Sequence, residues 1–140
     1  MKPLEMLNPL AKKTWARLIK EHPNWDSYFG SRDEDDLEVA IPAPPGSNAG
    51  HLVIFTTEGK EIWLRFGPPR MFYAIDDLEE MLSVINSLLR EEVSMVVISK
   101  GGEWKETTLI RREQDISLEP GQKAQIVSWY GSYDKTLPPS

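Results

Sequence analysis

Two histidines, His22 and His51, and no cysteine are the facts that most restrict the chemistry open to this chain of 140 residues. Thiolate nucleophiles, disulfides and thiolate metal sites are excluded, and two histidines are too few for a histidine-rich metal centre. Only His51 lies in an organised strand-like run, where a neighbouring carboxylate could make it a general base. It lacks a serine or aspartate partner arrangement, and a place opposite Phe66 at the rim of the core is the simpler expectation. Paired carboxylates such as Asp35-Asp36 or Asp76-Asp77 could divide acid and base work, but neighbours in sequence point apart. Asp76, Asp77, Glu79 and Glu80 suit a helix N-terminus, whose free N–H groups and partial positive charge stabilise carboxylates. The run Asp33, Glu34, Asp35, Asp36 has no such explanation. It can be a solvated loop, a contact for a basic partner or a divalent-cation site, although the Asp-x-Asp-x-Asp-Gly pattern of calcium loops is missing.

Five tryptophans are the second unusual feature. Trp15 falls on an apolar helix stripe and reads as core, while Trp25, Trp63, Trp104 and Trp129 fall on loops or strands. Trp63 and Arg65 are expected beside Leu52 and Ile54 on the sheet face away from the helices, making a half-apolar, half-charged surface. Aromatic residues and arginine are the types that dominate protein interfaces. The candidate partner-binding set is therefore Trp25, Tyr28, Asp33, Glu34, Asp35, Asp36, Trp63 and Arg65. A small-molecule or glycan module stacking ligands on Trp63, Trp104 and Trp129 is the alternative, and a small hydrolase using His51 is a third possibility.

The elements that must position these residues follow from spacing. Asn8-Pro9 reads as an N-cap and first helical position, and Leu10, Ala11, Thr14, Trp15, Leu18 and His22 recur at helical spacing until Pro23, so a helix is expected over 9–21. Residues 24–36 read as an irregular connection, and Leu37, Val39 and Ile41 as a strand ended by Pro42 and a Pro/Gly-rich loop over 43–50. Residues 51–57 and 60–66 form a hairpin around Glu58-Gly59. A two-residue turn would place His51, Val53, Phe55, Ile62, Leu64 and Phe66 on the core face. Gly67-Pro68-Pro69-Arg70 breaks the ladder, and Met71-Phe72-Tyr73 can resume a short strand.

Asp76 three residues before Glu79 resembles a capping box for a helix over 77–90 with the stripe Leu78, Met81, Leu82, Ile85, Leu88 and Leu89. A second hairpin turns at Gly101-Gly102, a type II turn is expected at Glu119-Pro120-Gly121-Gln122, and a last strand at 124–130. Residues 131–140 are expected to fray. The expected fold is one globular α+β domain: a mostly antiparallel sheet of five to seven strands with two main helices on one face. There is no internal repeat.

The N-terminal residues show no apolar leader and no apolar run reaches membrane-spanning length, so a cytoplasmic protein is expected. A formal charge of −6 argues against nucleic acid and anionic membranes and for a basic partner. In layout the chain resembles the small single-domain immunity proteins of bacterial polymorphic-toxin and contact-dependent inhibition systems. The resemblance is carried by Glu61-Ile62-Trp63-Leu64-Arg65-Phe66, by Phe72 through Glu80 and by Val96 through Trp104. It implies a non-catalytic, cofactor-free domain that neutralises a cognate toxin by direct binding.

Overall fold

In the computed structural model, which describes residues 4–33, 35–65, 72–112 and 114–138, helix α1 (Pro9–Glu21) begins at its expected cap, the Asn8 side chain accepting from the Ala11 N–H at 2.8 Å. Ala11, Thr14, Trp15 and Leu18 form its buried stripe, and a 3-10 turn over Pro23–Tyr28 folds back beside it. Helix α2 (Leu78–Leu89) is capped by Asp77 rather than Asp76: the Asp77 carboxylate accepts from Glu80 N–H, and Glu80 in return accepts from Asp76 N–H. The box therefore sits one residue later than its sequence signature suggested.

Among the described residues, nine antiparallel strands divide between two sheets. The first is a meander of β1 (Ser31–Arg32), β2 (Asp36–Pro42), β3 (His51–Thr57), β4 (Glu61–Arg65) and β5 (Phe72–Ile75). The second runs β7 (Glu103–Arg111), β6 (Val93–Lys100), β8 (Gln122–Val127) and β9 (Lys135–Leu137) in spatial order. The α+β, mostly antiparallel architecture is the expected one, with its strands shared between two sheets rather than gathered in one. β9 corrects the expectation of a frayed tail: Leu137 pairs with Ala124 and packs on the small cluster of Val96, Ile98, Ile110 and Ile126. Its pattern is too short for periodicity, and the pairing comes from β8.

The β3–β4 turn corrects the expected face assignment. Glu58 and Gly59 both take left-handed backbone and Lys60 N–H closes the turn onto Thr57 O, but the ladder resumes with Thr57 opposite Glu61. Lys60 is an extra residue, and one residue of slip exchanges the faces of one strand relative to its neighbour. Ile54 thus pairs with Leu64 and Phe55 with Trp63. Leu52, Ile54, Ile62 and Leu64 join Met81, Leu82, Ile85 and Leu88 of α2 in the main core, whereas Val53 and Phe55 lie on the other face. The main core reaches into the second sheet through Met95, Val127 and Trp129.

Candidate functional site

Two turns border a concave surface on the first sheet. The acidic run is not an irregular loop but the β1–β2 turn: Arg32 pairs with Asp36, and Asp33 takes left-handed backbone between them. Asp36, placed by sequence in the partner-binding set, is only 3% exposed and belongs to the scaffold. Its carboxylate accepts from Asn8 Nδ2 and Thr56 Oγ1, both at 2.8 Å, and from the Glu58 and Gly59 N–H groups at 2.8 and 3.1 Å. One buried carboxylate therefore ties the start of α1, the β1–β2 turn and the β3–β4 turn together. Burial pushes its pKa up, but the hydrogen bonds from Asn8, Thr56, Gly59 and Glu58 outweigh this and hold it below the usual value.

With the turns fixed, Asp33 of the first and Glu58 and Glu61 of the second stand at one end of a groove of about 930 Å³. Its floor follows the outer row of the first sheet, where Phe55 lies opposite Trp63 and Trp63 opposite Ala74. Phe72 closes it from β5, and Trp104 and Thr107 of β7 form its far wall. Phe72 and Trp104 are 40% and 47% exposed, large values for such apolar rings. No cationic side chain is among the described lining residues. Cations stand just outside: the Arg32 guanidinium lies 4.2 Å over the Phe55 ring, and Arg65 is 5.9 Å from both Phe55 and Phe72.

The remaining sequence candidates divide. Asp33, Trp63 and Arg65 meet in or beside the groove, Asp35 is exposed on the turn, and Glu34 lies outside the described residues, as does the 66–71 break with Phe66. Trp25 and Tyr28 do not join them. Trp25 is buried in the main core and stacks on His22 with centroids 3.8 Å apart, while Tyr28 packs half-buried against the same core. The 3-10 turn that Pro23 starts folds them inward, a preference no local pattern announces. Trp129 is likewise core, so of the three proposed stacking platforms only Trp63 and Trp104 share a surface. His51 is exposed at the start of β3 opposite Pro42, not at the core rim, and no described hydrogen bond joins it to a carboxylate. The sequence missed Glu58, Glu61, Phe72 and Trp104 as neighbours of Asp33, because their convergence depends on the Lys60 slip and on the closeness of β5 and β7.

A second buried carboxylate, Glu91, follows α2 in left-handed backbone where glycine is usual, with Glu91 N–H bonded to Leu88 O and Glu92 N–H to Ser87 O. Its cost of about 1–2 kcal/mol is offset by what the side chain holds. It accepts from the Tyr130 and Ser132 N–H groups and from Ser132 Oγ, fixing the turn before β9. Burial raises its pKa, and these hydrogen bonds bring it below the usual value. His22 moves the same way for another reason: burial lowers it, and Asn86 and Glu21 offset only part of that.

Acid should therefore weaken the fold in two stages. The stability that comes from keeping His22 neutral is complete above its ordinary 6.5 and is lost as pH falls below it. The contributions of Asp36 and Glu91 are complete above their ordinary 3.8 and 4.5 and disappear as pH falls through their lowered values. Urea unfolding from neutral pH downwards should show a shallow decline followed by a steep one. A His22→Gln variant should lose only the shallow stage, and a flat profile in the parent protein there would disprove the His22 coupling.

Among the described residues no three carboxylate or histidine side chains converge to hold a metal ion, and no helix is long and apolar enough to cross a membrane. No protein-family model matches the chain, and no curated protein or solved structure matches it significantly.

Proposed function

We propose that this chain is a non-catalytic binding domain that neutralises a basic protein, acting as an immunity protein toward a cognate bacterial toxin in the cytoplasm. The observation that carries this reading is the groove itself: exposed aromatic rings bordered by Asp33, Glu58 and Glu61, on a chain of net charge −6. Nuclease toxins have basic substrate clefts, and an acidic surface with aromatic anchors can occupy such a cleft and block it. Carboxylates at the rim would speed encounter, and the aromatic rings would slow departure. The joint presence of Trp63 and Trp104 also supports the second reading, a small-molecule or glycan module.

The test is to search the genes beside this chain's for a toxin domain and to co-express the two; absence of any such domain would count against the immunity reading. Growth arrest by the toxin alone should be relieved by the chain, and the relief should fail for the combined Asp33→Asn, Glu58→Gln, Glu61→Gln variant. With purified components that variant should associate roughly tenfold more slowly at low salt and show a flatter salt dependence. Unrelieved arrest with a well-folded parent protein would overturn the immunity reading.

A further inference from the structure

The first sheet already contains one solution to holding a guanidinium. Glu38 and Phe55 are cross-strand partners, and Arg32 from β1 takes both, its head group 3.8 Å from the Glu38 carboxylate and 4.2 Å over the Phe55 ring. Ring face and carboxylate together suit arginine, whose planar, weakly hydrated head stacks on aromatics while its N–H groups reach a carboxylate in a fixed fork.

The same row continues across the sheet with the same ingredients and, among the described residues lining it, no arginine. Trp63 follows Phe55, and the next strand offers only the methyl group of Ala74, so that among the described residues the groove runs over Trp63 between Phe72 and Trp104. Glu58 and Glu61 stand at the end of this space, as does Asp33, and none of the three enters a described ion pair. Three carboxylates border these aromatic faces, none of the described lining residues is cationic, and the nearest described guanidinium groups, Arg32 and Arg65, stand outside against Phe55 and Phe72, so the groove's charge favours a cationic occupant.

We propose that the groove is an arginine receptor: it takes an arginine side chain presented by an extended segment of the basic partner, stacked on Trp63 and held at its head by Glu58, Glu61 and Asp33. This rests on the binding-domain reading above and names the chemistry that its site recognises. Lysine fits less well, because a compact, strongly hydrated ammonium gains less from ring faces and cannot use two carboxylates in one plane. Asp36 acts as a positioning residue, since it holds the two acidic turns side by side.

The experiment uses the isotope-labelled full chain and a blocked Gly-Arg-Ala-Arg-Gly peptide, with counterparts in which lysine or neutral citrulline replaces both arginines. The Trp63 and Trp104 indole N–H resonances should shift saturably with the arginine peptide, about threefold more weakly with lysine, and not with citrulline. Ala74→Leu lies at an exposed strand position and should fill the groove without unfolding the chain, costing at least about tenfold in affinity. The triple rim variant should lose binding to a similar extent. Equal response to citrulline, shifts mapping away from the groove, or unchanged affinity in Ala74→Leu would overturn the proposal. A toxin neutralised by a chain whose groove ignores the arginine peptide would leave the immunity reading standing and remove the receptor. A peptide bound in the groove with no toxin relieved would do the reverse.

Discussion

Replacing Asp36 with alanine is expected to cost the domain on the order of 3–5 kcal/mol, although the residue sits in a run of acidic neighbours that reads as solvent-facing. The substitution orphans four donors at once: Asn8 Nδ2, Thr56 Oγ1 and the Glu58 and Gly59 N–H groups. Thr56 is fully buried and its oxygen also accepts from Leu37 N–H, so its loss spreads into the β2–β3 ladder. A buried donor left without a partner, as at Thr56, costs about 1–3 kcal/mol, while the part-buried Asn8, Glu58 and Gly59 donors recover some of their loss from water, which keeps the sum below simple addition. Asp36→Asn should fall between, because it drops the charge and turns one oxygen into a second donor facing donors. Asp35→Ala, one residue earlier and exposed, should stay within about 0.5 kcal/mol. Chemical denaturation of the three variants decides it: equal stabilities for Asp36→Ala and Asp35→Ala would remove the clamp from the account.

The second large effect is at Ile54. A two-residue β3–β4 turn would place this residue beside Trp63 on the outer face, but the observed register pairs it with Leu64, both fully buried in the main core. Ile54→Ala should cost about 2–5 kcal/mol, the loss of transfer energy plus a cavity that the sheet cannot close. Trp63→Ala removes a larger side chain, yet from the half-buried floor of the groove, and should cost less than half as much. Thermal or urea unfolding of the pair reads the face assignment directly. A Trp63→Ala cost equal to or above that of Ile54→Ala would reverse it.

Much of the scaffold was legible because its signals are local. Asn8-Pro9 marks α1, the apolar stripe from Met81 to Leu88 marks α2, and Gly101-Gly102 and Pro120-Gly121 mark turns whose glycines do take left-handed backbone. The groove was only partly legible. Asp33, Trp63 and Arg65 could be picked out as residue types, but whether Phe55 belongs with α2 or with Trp63 depends on one extra residue in a turn, and a type pattern does not count it. The aromatic cluster at Trp25 and Tyr28 was misplaced for the opposite reason. Polar and acidic surroundings suggest exposure, while the stacking of Trp25 on His22 is a tertiary event that overrides local composition. Asp36 differs from Asp35 only by strand alternation and by what Thr56 and Asn8 bring to it from elsewhere in the chain.

The extra residue at Lys60 also limits how this hairpin can evolve. Removing or adding one residue there would turn β4 over, sending Ile62 and Leu64 toward solvent and Trp63 into the core. Two inserted residues would preserve the facing of every side chain. Divergent descendants of this chain should therefore differ in length at this turn by even steps. Parity at a single turn, rather than the identity of any side chain, is what a lineage would have to keep for the groove to survive.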